Sequence, residues 1–111
     1  MTQDRQLRRW HPQTDAAAVD SAVTARILAA AAAATAARGA FHLVLAGGTT
    51  PRRIYEALRA SAARWEFWHI YFGDERCLPP QHPERNSRMA AAAWLDHVAI
   101  PPRQVHPMPA D

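Results

Sequence analysis

The sequence predicts an α/β fold built on a partial, open parallel sheet with helices on both faces. Two apolar runs of strand length, residues 41–46 and 67–72, flank one helical segment at about 51–63. A strand, a helix and a second strand in this order form a β-α-β unit, in which the strands are parallel and both faces of the sheet are covered. Polar or glycine-rich turns follow both strands, at the edge where such sheets bind ligands.

The region before the first strand predicts a short edge strand over residues 6–10 and then a long helix. Thr14 or Asp15 is suited to cap this helix, which runs to about Arg38, and Gly39 stands where a C-terminal cap belongs. Its small apolar side chains recur at helical spacing, at Val19, Val23, Ile27, Ala30 and Ala34. This face predicts close packing against the sheet and a structural role.

The turn after the first strand is Gly47-Gly48-Thr49-Thr50-Pro51. We expect Thr50 to cap the next helix and Pro51 to take its first position. Backbone N–H groups and the helix dipole would then converge on one point, which predicts a phosphate pocket. The alternative is that the glycines only allow tight packing of helix on sheet. The next two residues, Arg52 and Arg53, either help to hold the anion or are solvated on an exposed turn.

The second turn, Gly73-Asp74-Glu75-Arg76, places two carboxylates and a guanidinium after a buried strand. Neighbouring side chains point in different directions, so one carboxylate is expected to face the pocket while the other holds Arg76. A carboxylate here can position or deprotonate a water, and an arginine can bind a phosphate or carboxylate through two hydrogen bonds. The alternative is a surface salt bridge that contributes little.

The rest of the chain predicts a proline-bearing loop at 77–85 and a helix capped by Asn86 or Ser87 that runs to about His97. The expected buried side chains of this helical region are Met89, Ala93, Trp94 and Val98. Residues 100–108 are interpreted as a connection with a short extended piece. We see no linker or internal repeat, so residues 1–111 are interpreted as a single, incomplete domain.

The amino-acid composition argues against several classes of function. The net charge is +3, and all 13 basic residues are arginines spread along the chain, without the basic patch typical of nucleic-acid binders. Cys77 is the only cysteine, which excludes an internal disulfide and favours a reducing cytoplasm. The apolar run at 27–37 is interpreted as too short and too weakly apolar to span a membrane. The six histidines lack metal-ligand spacing, and only His82 is kept as a possible contact.

Taken together, these segments resemble the 6-phosphogluconolactonases, within the wider sugar-phosphate family that includes glucosamine-6-phosphate deaminase. The resemblance runs from about residue 15 to 111 and is carried by residues 45–51, 54–58, 68–76, 79–83, 86, 88–89, 95–98 and 105–106. It implies a Rossmann-type lactonase-like fold. It also implies hydrolysis of 6-phospho-D-glucono-1,5-lactone to 6-phosphogluconate in the oxidative pentose phosphate pathway, with no metal or organic cofactor.

Position by position, the resemblance implies substrate-binding roles for Gly47, Gly48, Thr49, Thr50, Arg76 and Asn86, and a catalytic role for Asp74. The catalytic histidine of the lactonases lies in the second half of their fold, and none of the histidines here matches it. We therefore expect a truncated lactonase that is weakly active or inactive alone.

Three alternatives stay open: a sugar-phosphate-binding module without turnover, a non-functional remnant, and a deaminase-like enzyme. The predicted sheet has an open apolar edge, which favours pairing with a complementary C-terminal half or self-association.

Overall fold

The computed structural model describes residues 10–109. Its helices and strands are α1 (Ala16–Arg38), β1 (Phe41–Leu45), α2 (Thr49–Arg59), β2 (Trp68–Phe72) and α3 (Asn86–Ala93). Three single 3₁₀ turns occur at Trp65–Phe67, Leu95–His97 and Pro102–Gln104. The strand predicted over residues 6–10 lies outside the described residues apart from Trp10, which is exposed.

Both predicted caps of α1 are confirmed. The Asp15 carboxylate accepts a hydrogen bond from the Ala18 N–H at 2.8 Å. Gly39 ends the helix in the left-handed conformation, with φ at 73°, and its N–H donates to the carbonyl of Thr35. The buried residues of α1 are Thr24, Ala31 and Ala34, while Val19 and Ala30, both predicted to face inward, are exposed.

Among the described helices, α1 alone is long and apolar enough to cross a membrane by length and composition. The prediction that the run at 27–37 is too short and too weakly apolar to span a membrane concerned that run alone, whereas the criterion applies to the whole helix Ala16–Arg38. The criterion is weak, because core helices of soluble proteins also meet it. Here Ala31 and Ala34 pack into the core, and α1 contacts α2 and β1.

The two strands confirm the predicted β-α-β unit. β1 and β2 pair in parallel, with Phe41 opposite Trp68 and Leu45 opposite Phe72. A single parallel bridge joins Val105 to Ile70 at the other edge of β2, which is the extended piece predicted within residues 100–108. The carboxyl ends of β1 and β2 consequently meet at one edge, where both polar turns begin.

One hydrophobic core joins the three helices to one face of the sheet. It is built from residues of α1, both strands, α2 and α3, and its largest fully buried side chains are Trp68, Trp94, Leu58 and Ile70. On the other face, His42 and Val44 are exposed, and the His42 ring stacks on His69 at 4.7 Å. The helices predicted to cover that second face do not occur within residues 10–109.

Two details at the start of α2 correct the sequence prediction. Gly48, and not Thr50, is the N-cap residue, because its φ of 109° is one that only glycine adopts readily. Thr49 is therefore the first helical residue, and Pro51 stands third instead of first. Proline is still tolerated there, because the N–H groups of the first helical turn have no partner within the helix.

The ends of α2 and α3 also differ from the prediction. The predicted α2 continued to residue 63, but the helix ends at Arg59, and a short connection leads to the turn that buries Trp65. The predicted α3 continued to His97, but Trp94 leaves the helical region with φ at −148° and ψ at −60°. This break buries the Trp94 indole completely, so tertiary packing overrides the local helical preference.

Tyr55 joins α2 to the end of β1. Its hydroxyl donates to the Ala46 carbonyl at 2.6 Å and accepts from the Ala46 N–H at 3.1 Å. Burial raises the pKa of this phenol, partly offset by its hydrogen bond to the backbone. These two hydrogen bonds hold Ala46, the residue directly before the glycine turn, in place.

Tyr55→Phe is expected to lower the free energy of unfolding by about 1–3 kcal/mol, because two backbone groups at Ala46 lose their partner. Urea denaturation followed by tryptophan fluorescence measures this. The matched control is Tyr71→Phe, whose hydroxyl contacts His42 on the exposed face, and which is expected to cost much less. Equal losses in the two variants would contradict the role assigned to Tyr55.

Candidate functional site

The first part of the site is the N-terminus of α2. It follows directly from the end of β1 through Gly47 and Gly48. Within residues 10–109 no side chain caps this helix, because its N-cap residue, Gly48, has no side chain. The N–H groups of the first turn therefore remain available to an anion, and the helix dipole adds positive potential at the same point.

A cavity of about 320 Å³ opens in front of this helix end. It is lined by Gly48, Thr49, Arg52, Arg76, Pro83, Glu84, Asn86 and Met89. The residues come from both polar turns, the proline-bearing loop and α3, so the fold brings together the two clusters that the sequence singled out. The cavity is open to solvent and suits a small, polar ligand.

The cavity is positively charged. Arg52 and Arg76 are both exposed on its wall, and neither forms an ion pair within the described part of the chain. Arg53, by contrast, is held by the Asp20 carboxylate of α1, with Nε 2.7 Å from Oδ2. Glu84 on the rim is the one acidic lining residue, which leaves a formal charge of +1 from the two arginines and one glutamate. Arg52 is thus the site residue and Arg53 a structural one.

Glu75 has a role that the sequence did not predict. Its side chain is completely buried, and one oxygen, Oε1, accepts from the N–H groups of Arg76 at 2.8 Å and Asn86 at 2.6 Å. The other, Oε2, accepts from the Ser87 N–H at 2.9 Å. Burial alone would raise the pKa of Glu75, but these backbone hydrogen bonds outweigh it and lower the pKa to about 2. The carboxylate therefore caps α3 from a distant part of the chain.

Arg85 accompanies the buried Glu75. Its guanidinium lies 3.5 Å from Glu75 Oε2 and donates to the carbonyls of Leu78 at 3.1 Å and Met108 at 2.7 Å. Arg85 is 3% exposed, so this arginine neutralises the buried carboxylate and ties the loop before α3 to the segment after it. One carboxylate of the turn was expected to hold Arg76. Within residues 10–109 Glu75 contacts only the Arg76 backbone N–H, and the guanidinium beside this carboxylate is that of Arg85.

Asn86 and Gly47 are in close contact. The Asn86 amide donates to the Asp74 carbonyl at 3.3 Å, with the Asp74 carboxylate at 3.5 Å. A Cβ atom added to Gly47 would lie 2.2 Å from Asn86 Oδ1. Gly47 is thus required because the two turns approach closely, and not because of its own backbone angles, since its φ is not positive.

Gly47→Ala is expected to displace Asn86 and to lower the free energy of unfolding by about 1–3 kcal/mol, as other overpacked substitutions do. Gly73→Ala is the matched control at the end of the other strand. A Cβ there would meet Val44 at 3.5 Å, an ordinary contact. Chemical denaturation and the amide resonance of Asn86 measure the effect, and an unchanged Asn86 in Gly47→Ala would show that this close approach is absent.

The predicted site residues fall into two groups. Four of them line the cavity: Gly48, Thr49, Arg76 and Asn86. Gly47 lies close to Asn86, Thr50 lies in the first turn of α2, and Asp74 is exposed next to Asn86. None of these three residues lines the cavity. His82 does not line it either; its ring nitrogen Nδ1 accepts from the Glu84 N–H at 3.1 Å.

Five residues at or next to the cavity were not predicted as site residues. Pro83, Glu84 and Met89 line the cavity, and Glu75 and Arg85 form its buried support. The prediction that Asn86 or Ser87 caps this helix was wrong: both lie inside α3, Arg85 is at the N-cap without a capping hydrogen bond, and Glu75 supplies the acceptor. Cys77 is exposed, and no cluster of metal-ligating side chains occurs among residues 10–109.

The fold and the cavity together define an α/β protein of the Rossmann-like kind, with a cavity lined by two arginines at the carboxyl ends of parallel strands. The sequence profile described as Glucosamine-6-phosphate isomerases/6-phosphogluconolactonase matches residues 14–111. The chain belongs to this family.

Individual relatives agree with this assignment. The chain is 50% identical over 76 residues to the 6-phosphogluconolactonase of Synechocystis sp., covering 68% of this chain and 32% of that protein. It is 38% identical over 99 residues to the 6-phosphogluconolactonase of Mycobacterium leprae, covering 87% and 40%. The crystal structure of 6-phosphogluconolactonase from Thermotoga maritima superposes with a TM-score of 0.77 at 26% identity, covering 82% of this chain and 42% of that one.

The chain therefore spans only about a third to two fifths of the length of these three relatives. The similarity to 6-phosphogluconolactonases that the motifs implied is confirmed over this part.

Proposed function

We propose that the cavity is part of the sugar-phosphate site of a 6-phosphogluconolactonase, which hydrolyses 6-phospho-D-glucono-1,5-lactone to 6-phosphogluconate. The observation that carries the proposal is the meeting of Arg52 and Arg76, without ion pairs in residues 10–109, at the uncapped N-terminus of α2. Guanidinium groups and free helix N–H groups are the donors that phosphate prefers. Membership of the family supports a phosphorylated sugar as the ligand.

In this proposal the phosphate contacts the N–H groups of Thr49 and Thr50 and the two guanidiniums. Gly48 allows close approach of the phosphate to the backbone. The Asn86 side chain, fixed by Asp74 and Gly47, borders the sugar. Glu84 on the rim disfavours a second phosphate, which suits a ligand with one anionic group.

The chemistry is addition of water to the lactone carbonyl carbon, followed by cleavage of its bond to the ring oxygen. The ring oxygen takes up a proton and becomes a hydroxyl, while the carbonyl carbon ends as a carboxylate and releases a proton. Asp74 is the candidate that orients the water, because it is exposed at the end of β2 next to Asn86. The resemblance to lactonases implies a histidine base in the part of their fold that this chain does not span.

We expect Asp74→Asn, in a version completed with the rest of a family member, to lower kcat without lowering the free energy of unfolding, because Asp74 is exposed. A coupled assay of 6-phosphogluconate release and a urea titration measure the two quantities. A full rate in this variant would remove Asp74 from the mechanism.

The alternative is a binding module without turnover, supported by the two arginines and the uncapped helix N-terminus at the cavity. The test is acid release from the lactone together with calorimetric binding of 6-phosphogluconate, both on the purified 111-residue chain. Binding without turnover above spontaneous hydrolysis supports an incomplete lactonase site. Turnover well above background would contradict the expected inactivity, and release of ammonia from glucosamine 6-phosphate would favour the deaminase alternative.

A cytoplasmic location is part of the same proposal, supported by the exposed free thiol of Cys77, which suits a reducing compartment. The proposed partner is a complementary C-terminal half or a second copy of the chain. The exposed sheet face with His42 and Val44 supports it, because parallel sheets are normally covered on both faces.

A further inference from the structure

Two helix N-termini adjoin the cavity, and only one of them is free. The first N–H groups of α3, those of Asn86 and Ser87, already donate to the Glu75 carboxylate at 2.6 and 2.9 Å. The N-terminus of α2 has no such side chain within residues 10–109. A negative charge at one helix end satisfies its dipole and repels a second anion from it. Glu75 therefore leaves the end of α2 as the place for an anionic group.

The same carboxylate fixes two residues of the cavity wall. Oε1 accepts from the Arg76 N–H at 2.8 Å as well as from the Asn86 N–H. Arg76 is the next residue after Glu75 and lies in a turn, whereas Asn86 lies eleven residues later and belongs to a helix. One buried acceptor thus sets the distance between the arginine and the amide that face the ligand.

Arg85 keeps this acceptor in place. It is buried next to Glu75 and binds the carbonyls of Leu78 and Met108, on either side of α3 in sequence. Because the carboxylate is enclosed and neutralised, it cannot turn toward the cavity and compete with the ligand for Arg76.

We propose that Glu75 is a positioning residue of the anion pocket: its carboxylate holds Arg76 and the first turn of α3 in place and directs the anionic group of the ligand to the N-terminus of α2. The inference rests on the proposed function, since it assumes that the cavity takes a sugar phosphate. Glu75 itself does not touch the ligand.

Glu75→Gln tests this inference, because the amide keeps the shape of the side chain but loses its charge and one acceptor atom. We expect the dissociation constant of the folded chain for 6-phosphogluconate to rise at least about tenfold, and the amide resonances of Arg76, Asn86 and Ser87 to shift together. Glu56→Gln is the control, since it removes the same charge from an exposed site on α2. It is expected to leave binding within about twofold.

A second control separates positioning from stability. Ile70→Val removes a methyl group from the core, away from the cavity lining. Measured where all variants are fully folded, Ile70→Val is expected to bind as the unaltered chain does. Equal weakening in Ile70→Val and Glu75→Gln would overturn the proposal, because the effect would then follow stability alone.

The outcomes also distinguish this inference from the proposed function. If the unaltered chain binds neither 6-phosphogluconate nor inorganic phosphate, the proposed function fails. The positions of Arg76 and Asn86 are then judged from their amide resonances alone, and unchanged resonances in Glu75→Gln would overturn the role of Glu75. If Glu75→Gln does not fold, Glu75→Asp replaces it, because the shorter side chain keeps the charge but moves the carboxylate away from the three N–H donors. The amide resonances of Arg76, Asn86 and Ser87 should then shift together, and unchanged resonances would overturn the proposal.

Discussion

Replacing Arg76 with alanine is expected to weaken binding of 6-phosphogluconate by about ten- to a hundredfold. Hydrogen bonds to charged groups contribute about 1.5–3 kcal/mol, and each 1.4 kcal/mol corresponds to about a tenfold change in affinity. The side chain of Arg76 is exposed and forms no ion pair within residues 10–109, so its loss leaves no buried partner behind. The free energy of unfolding is expected to stay nearly unchanged.

Arg59→Ala is the matched control for Arg76→Ala. It removes the same charge from the exposed C-terminal end of α2, outside the cavity lining. Isothermal titration calorimetry at two salt concentrations separates local contacts from the general field, which salt screens. If both variants bind alike, the cavity does not hold the phosphate.

Acid is expected to destabilise the chain through Glu75 by on the order of 1.4 kcal/mol per pH unit, as linkage requires. The pKa of Glu75 in the folded state, about 2, lies below its ordinary value of 4.5, so the folded state binds fewer protons than the unfolded state in this window. The contribution of Glu75 is therefore complete above about pH 4.5 and is lost as the pH falls toward 2. Between pH 4.5 and about pH 3 the loss in the free energy of unfolding amounts to roughly 2 kcal/mol.

Urea denaturation at several pH values measures this loss, and other carboxylates contribute to the total. The difference between the unaltered chain and Glu75→Gln isolates the Glu75 share, because the amide does not titrate in this range. Glu56→Gln should retain the Glu75 share of the pH dependence. A Glu75→Gln variant with the same pH dependence as the unaltered chain would show that this carboxyl is not held in its charged form.

The parts of the fold that depend on neighbouring residues could be predicted from the sequence. Asp15 and Gly39 cap α1 by contacts within one helical turn, and the apolar runs of β1 and β2 are strand-like over five residues each. The parallel pairing followed from the helix between them. The two turns that meet at the carboxyl edge followed from this topology, so four of the predicted site residues lie on the cavity wall.

The parts that depend on distant contacts could not be predicted. Thr50 is a good N-cap by residue type, but Gly48 takes that position because the backbone at the end of β1 requires a positive φ. The sequence does not distinguish Asp74 from Glu75 as the buried carboxylate. Glu75 is the buried one, and it accepts hydrogen bonds from N–H groups of α3 that lie eleven and twelve residues later. Local propensity does not contain this information.

The most direct test of the account is a titration of the isotopically labelled 111-residue chain with 6-phosphogluconate, followed by backbone amide resonances. The account predicts saturable shifts at Gly48, Thr49 and Arg76, with little change in α1. The absence of saturable shifts up to high millimolar ligand, or shifts confined to α1, would contradict it.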